Sequence, residues 1–135
     1  MTEKEFKALK EHIDKKITLD ITKLNAQLLE SPILYSSVLQ LFIKENKILN
    51  NLEIEKDEKY ASLYKHFKYD SDVRWETKHE IESQMYSDKS YLMILSKIED
   101  QQEVVTYLQQ QLENIKNMSF AIKNYIEWQQ FLAGQ

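Results

Sequence analysis

The sequence predicts an all-α fold: a helical bundle with a long coiled-coil-like C-terminal helix and a final apolar helix, assembling as a homo-oligomer. Three observations predict it. Glycine occurs once, at Gly134, and proline once, at Pro32, where the two together ordinarily make up about 12% of a chain. A sheet needs turns, and turns draw on glycine, proline or asparagine pairs, which are scarce here, so an all-β fold is strongly disfavoured. Apolar residues recur at helical spacing over most of the 135 residues, which is the period of a packed helix face. The chain is also 42% hydrophobic and 30% charged, too apolar to remain disordered.

The elements follow in order. Thr2 and Glu5 make a capping box, and Phe6, Leu9 and Ile13 form a stripe, so a first helix is expected over 3–16. Asp20 can cap a second helix through Ile21, Leu24 and Leu28. Ser31-Pro32 reads as a new start, with serine at the cap and proline in the first turn. From there Leu34, Val38, Leu41, Ile48 and Leu52 keep one face, and the helix is expected to run on to about Lys68. Residues 69–87 read as loop or irregular chain. Ser87 or Asp88 then caps the longest signal. Positions 91, 94, 98, 101, 105, 108, 112, 115, 119, 122 and 126 alternate spacings of three and four, and nine of the eleven are apolar. Such a seam belongs to a coiled coil or to a bundle core. Ser119 offers a break, with a separate last helix from Phe120. The expected organisation is one domain: N-terminal helices over 1–68, the irregular 69–87 and C-terminal oligomerisation helices over 88–135.

Composition removes several function classes. A Walker loop and a nucleophile elbow each need two glycines, and a dinucleotide fingerprint needs three. With no cysteine there is no disulfide, thiolate metal site or cysteine nucleophile, a usage compatible with a reducing cytoplasm. His12, His66 and His79 are too far apart in sequence to form a helical metal pair, so no metal is expected. No cofactor is expected and nothing places a catalytic triad. The chain reads as a non-enzyme. No apolar run approaches the length of about 18 residues that a membrane span needs, so no membrane is expected, and the charged N-terminus lacks a signal-peptide core.

Net charge is −4, yet its distribution is uneven. Residues 59–69 carry three lysines and no acid, while 70–103 carry four basic and nine acidic residues. Of the 18 basic residues only Arg74 is arginine, which disfavours base reading by bidentate guanidinium contacts. The basic stretch reads Lys-Tyr-Ala-Ser-Leu-Tyr-Lys-His-Phe-Lys-Tyr. Ammonium groups meet phosphates while aromatic rings stack on bases of any identity, which is the chemistry of single-strand binding. The DNA-binding candidates are Lys59, Tyr60, Tyr64, Lys65, His66, Lys68 and Tyr69. The alternative makes Tyr60, Leu63 and Phe67 core residues with solubilising lysines beside them. Candidates for self-association are Ile94, Ile98, Val105, Leu108, Leu112, Ile115, Ile122 and Ile126 of the seam, with Trp128 and Phe131 in the tail. The seam packs either within one chain or between chains.

Two signatures at the ends carry a resemblance. Leu19-Asp20-Ile21-Thr22-Lys23-Leu24 followed by Leu34-Tyr35-Ser36, and Ser119-Phe120-Ala121-Ile122-Lys123-Asn124 followed by Ile126-Glu127-Trp128, Phe131 and Gly134, resemble the UvsY family. This is the family of recombination mediators of T-even-type phages. The resemblance spans nearly the whole chain and is weakest between about residues 40 and 86. It implies a protein of the infected host cell's cytoplasm that binds single-stranded DNA and forms a ring-like homo-oligomer. Such a protein helps load a phage recombinase onto strands covered by phage single-strand-binding protein, without an ATPase of its own. By position, the family's basic-aromatic stretch falls on residues 59–69, which here lack arginine and the following glycine. The alternative function is a structural or adaptor coiled-coil oligomer with no nucleic-acid role.

Overall fold

The computed structural model describes residues 1–134, and the all-α expectation holds: no strand occurs among them. Helix α1 spans Glu3–Ile17, α2 Leu24–Lys65, α3 Lys78–Met85 and α4 Lys89–Ala133. A short 3-10 turn, Ile21–Lys23, precedes α2, and a π-helical turn, His66–Asp70, follows it. The residues gather into two compact units, one of Met1–Ile43 with the chain from Thr106 onward, the other of Lys44–Val105.

In the first unit the capping box of α1 forms as its residues predict. The Thr2 hydroxyl accepts from the Glu5 N–H at 3.1 Å, and the Glu5 carboxylate accepts from the Thr2 N–H at 3.2 Å. Phe6 and Ile13 are the residues α1 buries, with Phe6 edge-on to Tyr107 at 5.4 Å between ring centroids. The link to α2 is clamped by Gln27, whose amide donates to the Thr18 carbonyl at 2.7 Å and accepts from the Asp20 N–H at 3.1 Å. Asp20 caps the 3-10 turn, and its bonds from the Thr22 hydroxyl and N–H hold its carboxyl below the usual range. Leu24, Met118 and Ile122 close the core where α2 begins, with Leu28 and Ile126 packed on it.

Two expected helix boundaries do not exist. Ser31-Pro32 begins no helix, because α2 runs unbroken from Leu24 through Pro32. Proline lacks the N–H that would bond the Leu28 carbonyl, and the Ser31 hydroxyl donates to that carbonyl instead, at 2.9 Å. The break at Ser119 is absent too, so the last helix is the end of α4 rather than a separate element. Met118 is buried beside it, and neither glycine nor proline interrupts the backbone there.

In the second unit, Leu63 of α2, Ile81 and Met85 of α3 and Tyr91 of α4 form one buried cluster. The expected irregular stretch therefore contains a helix. Thr77 and Glu80 build a second capping box at its start. Asp88 caps α4 as predicted, accepting from the Tyr91 N–H at 2.9 Å and the Ser90 hydroxyl at 2.6 Å. Deeper in, the Gln101 amide donates to both the backbone carbonyl and the carboxyl of buried Glu45, each at 2.8 Å.

Candidate nucleic-acid interface

The basic-aromatic stretch occupies the last turns of α2 and the π turn, and its residues divide by exposure. Helical spacing turns Leu63 into the core, so Tyr60, Tyr64 and Phe67, three or four residues away, lie on the rim of the same cluster. Tyr60 and Tyr64 stack at 6.0 Å and 22°. The Tyr60 hydroxyl donates to the Glu82 carboxylate at 2.7 Å. That bond, reinforced by partial burial and by the nearby negative charge, pushes the phenol from 10.0 up to about 12. Glu82 also pairs with Lys78 at 3.8 Å. The core reading thus describes the packing of Tyr60 and Phe67, which the fold uses to attach α3 to α2.

Lys65, His66, Lys68 and Tyr69 are exposed. The Lys68 ammonium lies 5.7 Å from the Tyr64 ring centre and 5.4 Å from that of Tyr69, which brings a cation and two aromatic faces together. The His66 ring meets Phe67 edge-on at 5.1 Å. Lys59 stands apart. It is half-buried and shares a recess with Glu55, Glu58 and Ser90. Its charge also helps the Ser90 hydroxyl and the Tyr91 N–H hold the Asp88 carboxyl low.

A π turn is wider than an α turn and recurs at functional positions. Here it ends the helix, and α3 packs against it. Sequence reading missed two supports of this region, Trp75, packed on the Leu63 cluster, and Glu82, the acceptor for Tyr60. The Thr77–Glu80 capping box was the available signal for the helix that carries Glu82.

The seam on α4 is filled from within the chain. Ile94, Val105, Leu108, Leu112, Ile115 and Ile122 are buried, and Ile98 and Ile126 half-buried, so the intrachain reading describes them. Trp128 and Phe131 remain exposed, each at 57%, with rings stacked at 5.6 Å. Among the described residues no group of three metal-ligating side chains occurs, and no helix is long and apolar enough to cross a membrane.

The fold has solved counterparts. The crystal structure of the bacteriophage T4 recombination mediator protein UvsY in lattice type II is 22% identical, covers 98% of both chains and superposes with a TM-score of 0.83. The same phage protein in lattice type I is 22% identical, covers 92% of this chain and 98% of that one, and gives 0.79. No individually curated protein matches the sequence. Residues 12–135 match the family described as "Recombination, repair and ssDNA binding protein UvsY", and on that match the chain belongs to the UvsY family.

Proposed function

We propose that this chain binds single-stranded DNA along the end of α2 and the π turn. As a homo-oligomer it would help load a phage recombinase onto strands covered by single-strand-binding protein, in the cytoplasm of the infected cell. The observation that carries the reading is the exposed group Lys65, Lys68 and Tyr69 within residues 59–69, which carry no acidic residue and are followed by Asp70. Two ammonium groups supply sequence-independent attraction to phosphates, and the Tyr69 face, 70% exposed, supplies a stacking platform. One such site is weak. Linked copies engaging a single strand multiply its effect through effective concentration, which is the physical reason for a ring-like assembly. Nothing in this chemistry turns over a substrate, so the proposed role is non-enzymatic.

Self-assembly in this proposal uses the tail, Trp128 and Phe131, because the seam residues above it are already covered. The test of DNA binding is a fluorescence titration of the full chain with a labelled oligonucleotide at low and raised salt. Binding at low salt that weakens as salt rises is expected. No binding at low salt, where phosphate contacts are strongest, would leave the adaptor reading in its place.

A further inference from the structure

The first compact unit holds a second place where ammonium groups and aromatic rings meet. Tyr35 of α2 and Lys116 of α4 line a recess of about 300 Å³, together with Pro32, Ser119 and the buried Ile115. The Lys116 ammonium lies 5.8 Å from the Tyr35 ring centre, at the outer limit of a cation–π contact. Helical spacing puts Phe120 and Lys123 on the same side of α4, one and two turns beyond Lys116. Both are exposed, Phe120 at 64%. The two stretches that build this surface are short of acid. Residues 31–43 carry no charged side chain, and residues 114–126 carry two lysines and no acid. They sit on different helices, so no window of sequence shows them together.

We infer that this recess takes one nucleotide of a single DNA strand, with the base on the Tyr35 ring and a phosphate on the Lys116 ammonium. The inference shares with the reading above only the premise that the chain binds single strands, and it adds a contact in the other unit. Size favours this occupant. The volume stands at the lower end of the roughly 300–1,000 Å³ that holds a small ligand, whereas a partner's helix, about 10–12 Å across, needs an extended groove. Chemistry favours it too. An apolar wall with one aromatic face accepts a base of any identity, and ammonium groups attract the backbone.

One opposing charge is present. The Glu113 carboxylate lies 3.7 Å from the Lys116 ammonium, with the two side chains 61% and 51% exposed. So open a pair is weak, and a phosphate can take its place. Lys123 then meets a neighbouring phosphate, and Phe120 between the two lysines offers a second ring.

Two measurements on the full chain test this. An oligonucleotide carrying 5-iodouracil is photocrosslinked to the protein, and the joined peptides are identified by mass spectrometry. Tyr35 should carry a cross-link at low salt and lose it as salt rises. The second measurement is the salt dependence of binding by a Lys116→Gln/Lys123→Gln protein. Two phosphate contacts at roughly 0.7 each should flatten the slope of log affinity against log salt by about 1.4. Both lysines are exposed and glutamine suits a helix, so circular dichroism and the mass from light scattering should match wild type. No cross-link at Tyr35 or an unchanged slope would overturn the inference. Loss of assembled mass in the variant would overturn it as well, by making this surface a contact between copies. The two strand sites fail separately. A slope that responds to the α4 lysines but not to Lys65 and Lys68 upholds this contact and removes the one at the end of α2, and the reverse pattern does the opposite.

Discussion

The Ser31 hydroxyl takes the place, on the carbonyl of Leu28, that a backbone N–H at position 32 would have filled; the bond is 2.9 Å long and Ser31 is 5% exposed. An interior proline removes one rung of the helix ladder, and here the preceding side chain replaces it. Ser31→Ala should strand a carbonyl and cost about 1–3 kcal/mol. In a Pro32→Ala background the N–H returns, and most of that cost should vanish. Urea denaturation of the four proteins in a double-mutant cycle checks this, and additive effects would exclude the substitution of one donor by the other.

The Glu45–Gln101 pair offers a second measurement. Both residues are buried, at 2% and 8% exposure, and one amide serves two acceptors. Gln101→Ala should destabilise by about 1–3 kcal/mol by leaving a buried carboxyl without its donor. Replacing both residues with leucine should be far milder than the single change, because nothing polar is left unsatisfied. Equilibrium unfolding of both variants reads the difference.

Tyr60 should make stability depend on alkaline pH. Its folded value lies above the unfolded one, at about 12 against 10.0, so its contribution is complete below the unfolded value and is lost as pH rises through the folded one. The difference in unfolding midpoint between wild type and Tyr60→Phe should hold steady up to about pH 9 and shrink toward pH 12. A difference independent of pH would mean that the Glu82 hydrogen bond is not its source.

The proposed strand contacts separate by their salt signatures. Each phosphate neutralised contributes roughly −0.7 to the slope of log affinity against log salt on single strands. Lys65→Ala or Lys68→Ala should flatten the slope and weaken binding alike for every base sequence. Tyr69→Ala should cost about 1–3 kcal/mol of binding with the slope nearly intact. Tyr64→Ala, by contrast, should lower the melting temperature as well, since its ring packs on the Leu63 cluster. Binding unchanged in both lysine variants would move the interface elsewhere.

What could be read from the residues was local. The capping pair Thr2–Glu5, the Asp88 cap and the alternation along α4 each depend on neighbours within one or two turns, and each formed as read. Ser31-Pro32 misled because a cap signal yields when Leu24 is already buried against Met118 and Ile122. Helix α3 escaped because eight residues burying only Ile81 and Met85 show too little period to register. In the candidate interface, lysine and aromatic content was legible. The roles were not. Tyr60 is fixed by Glu82, twenty-two positions later, and no local pattern announces such a partner.

The π turn also bears on how this region can change over generations. A wide turn accommodates one residue more than an α turn, so deletion of one residue within His66–Asp70 converts it into an α turn. Leu63 and Tyr60 pack on Ile81, Met85 and Glu82 beyond the turn, so the core is kept only where the chain between the turn and Lys78 absorbs the change. Under that condition selection can re-aim Lys68 and Tyr69 by altering length alone, without rebuilding the core that supports them.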